Sequence, residues 1–350
     1  MSQLSPRHIL VSRTDKIGDL ILSLPVFQSL RKAFPKARIT ALVSSYAKEV
    51  VQDHPAVDSI EVIDPHEGVG QLAERLKNLN ADVFISLYPR PKLALAAWLA
   101  QIPIRIGTAF RWYSFMFNSK VRMHRHYGDR HEVEYNLRLL EPLGVKKTAA
   151  QIEWPVTAEQ KNEAAGLLQS RGIDPRIRYV VVHPGHKGSA LNWSIYRYSE
   201  VIARLCQEKY LKVVVTGSLE ETRLIAQLTS LLDFYKLKNK PVYLIGECTL
   251  KQLAAVYQGA DCFLSGSTGT MHIAAAVGIP TVALFCPIPE TTPVRWGPWG
   301  NKAVVLMPHD LKCVDCQRGK CKKHDPMDGI TEDEVYQAVM KFVRKPGAKA

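Results

Sequence analysis

Apolar residues run through this chain in short β-branched bursts separated by stretches of helical spacing. Residues 9–11 form the first burst, after which Leu20, Leu24, Phe27 and Leu30 recur as one helix face and Pro35 ends it. Residues 38–43, 59–63 and 82–87 read as further strands, with helices over 47–52 and 71–79 between them. That alternation predicts a parallel sheet with helices on both faces. Residues 105–130 are basic and aromatic with poor periodicity, which predicts loops and short helices. Residues 132–143 read as a helix, with Gly144 as its C-terminal cap.

A second alternating series follows. Pro155 and Pro175 bracket a helix over 158–171. Strands are expected at 179–183, 212–216, 241–245, 261–265 and 281–285, with helices at 196–209, 221–232, 250–257 and 271–277. Thr331-Glu332-Asp333-Glu334 is a capping box, and Val335, Val339, Phe342 and Val343 give the last helix an apolar stripe. Residues 344–350 read as a frayed basic tail. The expected domains are 1–155, 156–328 and a terminal piece, 329–350. Open parallel sheets take ligands at the carboxyl ends of their strands, so two of them facing each other would make a cleft.

Length and composition add limits. A chain of 350 residues with 46% hydrophobic residues suits two domains. Residues 9–11 are too short for a signal segment and 94–100 too short for a membrane span, so the expected location is cytoplasmic. Lys+Arg 46 against Asp+Glu 33 gives a net +13, an excess that draws phosphates or reflects a merely basic surface. No RNP-type motif or helix-turn-helix signature is present, which argues against nucleic acid. Cys206, Cys248, Cys262 and Cys286 lie in apolar segments and read as buried thiols. Cys313, Cys316 and Cys321, with His324 three residues on, suit either a zinc site or a reduced surface loop, though the usual second cysteine pair is missing.

Four segments carry candidate chemistry. In 264–272 a strand ends, Gly266, Ser267 and Gly269 let the backbone approach a ligand, and a helix begins near Thr268 with His272 in its first turn. Free N–H groups there and the helix dipole make a seat for a diphosphate; the alternative is an ordinary turn capped by Ser267 or Thr268. The spacing matches neither a P-loop nor G-x-G-x-x-G, which argues against a kinase-type ATPase or a dehydrogenase. Asp19, on the loop after the first strand, suits a general base that takes a proton from an acceptor hydroxyl; its rival role is a helix cap. Arg13 and Lys16 are either anion ligands or solvated charges.

The third segment runs from His183 to Trp193. Gly185, Lys187 and Ser189 in its glycine-rich turn can hold leaving-group phosphate, while His183 and His186 also suit plain structural roles. The fourth starts at Gly217, where Glu221 can take ribose hydroxyls or merely answer a helix dipole.

Together these segments resemble glycosyltransferase family 9, the heptosyltransferases of lipopolysaccharide core assembly, over nearly the whole chain. Arg13-Thr14-Asp15-Lys16-Ile17-Gly18-Asp19-Leu20 with Leu24-Pro25 is similar to the family's opening motif, in which the Asp after the Gly, here Asp19, is the proposed base. Ser267-Thr268-Gly269-Thr270-Met271-His272 resembles its donor-phosphate motif. Arg105-Ile106-Gly107 and the 132–143 helix resemble segments near the acceptor side, where Arg105 and Arg111 would help Arg13 and Lys16 bind acceptor. The Cys313–Cys321 loop looks like one found in several members. The chain departs from the pattern at Ser267, where many members have Asp, at Leu191, where many have Lys, and at Ser194, where Pro is common. Lys187 is the cation nearest the missing lysine.

The resemblance implies a GT-B fold, α/β, with two Rossmann-like domains facing across a cleft and a C-terminal helix, within 329–350, that packs back toward the first domain. It implies an ADP-heptose donor, an anionic glycolipid or glycan acceptor, inversion at the anomeric carbon, and no required metal or other cofactor. It also allows a peripheral position at the cytoplasmic face of the inner membrane. Rival readings are a transferase for another nucleotide sugar, an epimerase or phosphorylase on the same plan, and a non-enzymatic protein that binds anionic lipid.

Overall fold

The computed structural model describes residues 5–145, 151–174, 177–186, 188, 190–309 and 325–343. They form two compact units, Met1–Trp154 and Pro155–Ala350. The first contains strands β1 (His8–Arg13), β2 (Arg38–Val43), β3 (Ser59–Val62), β4 (Val83–Ser86), β5 (Ile104–Thr108) and β6 (Ser119–Val121). Its helices are α1 (Ile17–Ile21), α2 (Leu24–Ala33), α3 (Val69–Asn78), α4 (Pro91–Leu99) and α5 (Glu132–Arg138). The second contains β7 (Arg178–His183), β8 (Leu211–Gly217), β9 (Val242–Ile245), β10 (Cys262–Gly266), β11 (Thr281–Leu284) and β12 (Ala303–Leu306). Its helices are α6 (Ala158–Ser170), α7 (Ile195–Gln207), α8 (Thr222–Asp233), α9 (Leu250–Gln258), α10 (Gly269–Ala276), α11 (Pro293–Trp296) and α12 (Glu332–Met340).

Both sheets share one plan. Their orders are β3-β2-β1-β4-β5-β6 and β12-β11-β10-β7-β8-β9, and every pairing is parallel. Each is the doubly wound order of a Rossmann-like domain, α/β in class. The strand order reverses between β1 and β4 in one unit and between β7 and β10 in the other, the place where such sheets bind ligands. Strands β1, β4 and β10 are buried along their whole length, as strands covered on both faces must be.

Several elements differ from the sequence reading for definable reasons. The first helix is two: Pro25 has no N–H to give back to Ile21, so α1 stops and α2 starts around it. The 132–143 helix likewise breaks near Pro142 into α5 and a 3₁₀ turn, Glu141–Leu143. Gly144 then ends it at φ 68°, left-handed as a C-terminal cap requires. Residues Ser45–Val50 are 3₁₀, not α. Helix α4 lacks a polar face, and strands β5, β6 and β12 are too short for alternation to declare itself.

Helix α12 belongs to the second unit. Val335, Ala338 and Val339 pack into the second unit's core with Trp193, Ile202 and Leu205, and the Trp193 indole donates to Ile330 O at 3.1 Å. Among the described residues no helix is long and apolar enough to cross a membrane. The 344–350 tail lies outside the described residues.

Candidate active site

Strand β1 ends at Arg13, whose side chain is 1% exposed. A buried guanidinium demands acceptors for its N–H groups, and this one finds four. Its Nε donates to Asp15 Oδ1 at 2.7 Å and its Nη2 to Asp19 Oδ1 at 2.6 Å. Its Nη1 donates to Glu132 Oε1 and to Asn136 Oδ1, both at 3.1 Å. Glu132 and Asn136 stand four residues apart on one face of α5, which is why both reach the same nitrogen. Arg13, expected to bind acceptor, is instead enclosed. Burial works against its charge, but Asp15, Asp19 and Glu132 together raise its pKa above the ordinary arginine value.

Asp19 is not a helix cap. Helix α1 begins two residues earlier, with exposed Lys16 at its N-cap position, and Asp19 sits in the first turn. Its carboxylate is 15% exposed, held at one oxygen and still within reach of solvent. Such an anchored, partly open carboxylate is what proton abstraction needs. Asp15 shares the same arginine and is nearly covered. Burial pushes its carboxyl up to about 6, with Arg13 opposing the rise and Asp19 adding to it.

That shift has a consequence for stability. A carboxyl whose folded-state value lies above its unfolded one stabilises the fold only while protonated, and the contribution is lost as pH rises through about 6. Asp15→Asn cannot ionise. It is expected to gain on the natural protein between about pH 4 and about pH 6, by at most about 1.4 kcal/mol per pH unit. Urea unfolding followed across that window measures the gap, and a gap that stays constant would refute the assignment.

The other arginines differ in kind. The Arg105 guanidinium is spent on backbone, donating from Nε to Met116 O at 2.8 Å and also to Ile102 O; it ties β5 to the following turn. Arg111 is exposed and lines a cavity of about 180 Å³ with Ser86, Thr108, His124, Arg125 and His126. Arg125 is also a partner of α5, donating to Glu132 Oε1 at 2.7 Å and Asn136 Oδ1 at 3.0 Å. One helix face thus holds the arginine that fixes Asp19 and the arginine that walls the cavity. Glu132, Asn136, Arg125 and His124 were not legible as site residues: no local spacing links positions more than a hundred residues from Arg13.

In the second unit, β10 runs out at Gly266 and α10 starts at Gly269. Thr268 is the N-cap residue, yet it makes no side-chain cap; its hydroxyl pairs with that of Thr270 at 2.8 Å. Thr268 therefore does not act as the side-chain cap. The first-turn amides are left uncapped by Thr268, beside half-buried Ser267 and with His272 buried one turn on.

Around the ends of β7 and β8 the packing is close. A Cβ on Gly185 would run into the Glu221 carboxylate, which would have to move to admit it. Glu221 Oε2 accepts from Ser218 N at 2.7 Å and lies 3.8 Å from His183 Nε2. His183 Nδ1 meets the Thr216 hydroxyl at 3.0 Å, and burial lowers the imidazole's pKa while Glu221 opposes that. His183 is thus held between Thr216 and Glu221. Gly217 lies between Thr216 and Ser218, and its carbonyl accepts from Gly246 N at 2.8 Å. Asn192 pins the turn by donating to Pro184 O at 2.7 Å. Lys187 and Ser189 lie outside the described residues, as do Cys313, Cys316, Cys321 and His324. Cys206, Cys262 and Cys286 are buried free thiols, and Cys248 is half-buried.

The comparisons with known proteins bear on the family and the fold. The family model described as glycosyltransferase family 9 (heptosyltransferase) matches residues 69–325. A Haemophilus influenzae protein whose name goes no further than glycosyltransferase is 29% identical over 304 residues, 83% of this chain and 85% of that protein. Lipopolysaccharide heptosyltransferase 3 of Escherichia coli K12 is 25% identical over 345 residues, 95% of this chain and 97% of its own.

Among solved structures, a family 9 glycosyl transferase from Veillonella parvula superposes with a TM-score of 0.83 at 23% identity, covering 97% of this chain and 98% of that one. The E. coli ADP-heptose lipopolysaccharide heptosyltransferase II does so with 0.79 at 22%, covering 96% and 98%. At these identities the structural likeness establishes the fold.

Proposed function

The chain belongs to glycosyltransferase family 9, the heptosyltransferase family, and from that premise we propose that it transfers heptose from ADP-heptose to a lipopolysaccharide core or related glycan acceptor, with inversion. The observation that carries the donor half is the tip of α10: a glycine-containing helix start whose N-cap Thr268 makes no side-chain cap, at the strand-order switch of the second sheet. Its amides and dipole are matched to a pyrophosphate. Gly269, Ser267, Thr268 and His272 would surround the phosphates, with Gly217 and the Gly185 turn beside them and Glu221 near the ribose. The acceptor would meet the first unit, through Lys16 and Arg111, and present its hydroxyl to Asp19.

Charge separates as the glycosidic bond breaks. The sugar gains oxocarbenium character while the nucleotide diphosphate leaves as an anion. Backbone N–H groups aimed at that anion stabilise it without reorganising. Asp19 takes the proton of the attacking hydroxyl, and Arg13 keeps the carboxylate pointed. Departures at Ser267 and Leu191 fall on the donor side, so the sugar and the base are what the test must name.

A thermal-shift panel of ADP, UDP, GDP and their sugars is that test. A ligand at 100 times its dissociation constant stabilises by about 2.7 kcal/mol. ADP and ADP-heptose are expected to give the largest shifts; a larger shift with UDP or GDP would replace the donor, and none with any nucleotide would end the reading. Gly185→Ala is expected to weaken the best nucleotide about tenfold or more, because the new methyl must displace Glu221. Titration calorimetry measures it, and unchanged affinity would take the Gly185 turn out of the donor site.

A further inference from the structure

The first unit carries one conspicuous surface that donor chemistry does not explain. Residues 83–128 contain seven Lys or Arg and neither Asp nor Glu. Within them, residues 110–115 form a turn that is firmly held. The Ser114 hydroxyl donates to Thr108 O at 2.7 Å and accepts from Arg111 N at 2.9 Å. Tyr113, Met116 and Phe117 sink into the core, and Gly107 makes room for Phe117, whose ring lies 2.4 Å from where a Cβ would stand.

A turn so anchored does not choose freely what it exposes. It presents Trp112 at 77%, Phe115 at 63% and Phe110 at 45% exposure. Large aromatic side chains exposed along one short turn are retained where a partner covers them. Phe110 stacks on His124 at 3.9 Å, and exposed Lys120, Arg122 and His124 continue outward from β6, the outermost strand.

Tryptophan and phenylalanine set among arginine and lysine, with no acid between, fit the boundary of a bilayer bearing negative headgroups. We propose that residues 110–115, with Lys120 and Arg122, form the surface by which this chain docks on an anionic lipid bilayer. The cavity of about 180 Å³ shares Phe110 and Arg111 with that turn. An acceptor could therefore keep its acyl chains in the bilayer while its sugar head reaches Arg111. The docking surface itself requires no particular nucleotide sugar.

Flotation of the full chain with vesicles tests this. Binding is expected to vesicles of phosphatidylcholine with phosphatidylglycerol, to fall with salt, and to be far weaker to phosphatidylcholine alone. Trp112→Ser with Phe115→Ser should weaken partition about tenfold or more per side chain. Lys120→Glu with Arg122→Glu should weaken it too. The nucleotide thermal shift, measured on the same samples, should be unchanged, which shows the variants folded and keeps the donor question separate. Equal binding by the aromatic double variant, or indifference of the natural protein to anionic lipid, would overturn the proposal. So would self-association lost in that variant without any vesicle binding, which would assign the face to a second copy.

Discussion

Asp19→Asn is expected to bind donor normally and to turn over about 10²–10⁴ more slowly, the usual cost of removing a general base. Asparagine keeps the shape and still accepts the Arg13 Nη2 hydrogen bond, now seen at 2.6 Å. It cannot take a proton from an attacking hydroxyl. The change should therefore fall on kcat, with KM and the nucleotide thermal shift little moved. Single-turnover assays with the preferred donor measure it. Turnover within a few-fold of the natural protein would remove Asp19 from catalysis and leave it as a partner of Arg13.

Arg13→Met should damage the first unit itself. Arginine 13 is the cation between Asp15, Asp19 and Glu132, and the last of these is fully buried. Methionine fills much of the space but leaves the carboxylates facing one another, with Arg125 still donating to Glu132. Breaking a buried ion pair by deleting one partner costs about 3–5 kcal/mol, because the charge left behind keeps its desolvation penalty. Arg13→Lys restores charge without the planar fork that serves four acceptors and should fall between the two. Urea unfolding monitored in the first unit measures all three. Two units need not unfold together, so a whole-chain midpoint is the wrong readout. A methionine variant as stable as the natural protein would mean the network is not what holds β1 to α5.

The two predictions concern one residue pair, and they show where sequence reading stopped. Asp19 was legible because a carboxylate after a strand, on a glycine-containing turn, is a local pattern. The role of Arg13 was not. From the sequence it was a loop cation free to meet an acceptor; its partners Glu132 and Asn136 lie 119 and 123 residues away. The same holds in the second unit. The strand–turn–helix at Gly266–Gly269 could be read directly, but the reason for Gly185 is the Glu221 carboxylate packed against it. Arg105 was drawn to the site by its neighbours in sequence and is used up on two carbonyls.

Runs of apolar residues and their spacing determined most of the strands and helices, their alternation, and hence two parallel sheets. These follow from contacts a few residues apart, which the pattern of side chains sets by itself. Only the tertiary structure decided the rest: which charges Arg13 gathers, where α12 lays its apolar face, which short strands extend the sheets to β6 and β12, and that Trp112 and Phe115 stay outside while Tyr113 and Phe117 go in. Burial and long-range hydrogen bonding choose among arrangements that local spacing leaves equal, since desolvation is fixed by what the whole chain brings to each side chain.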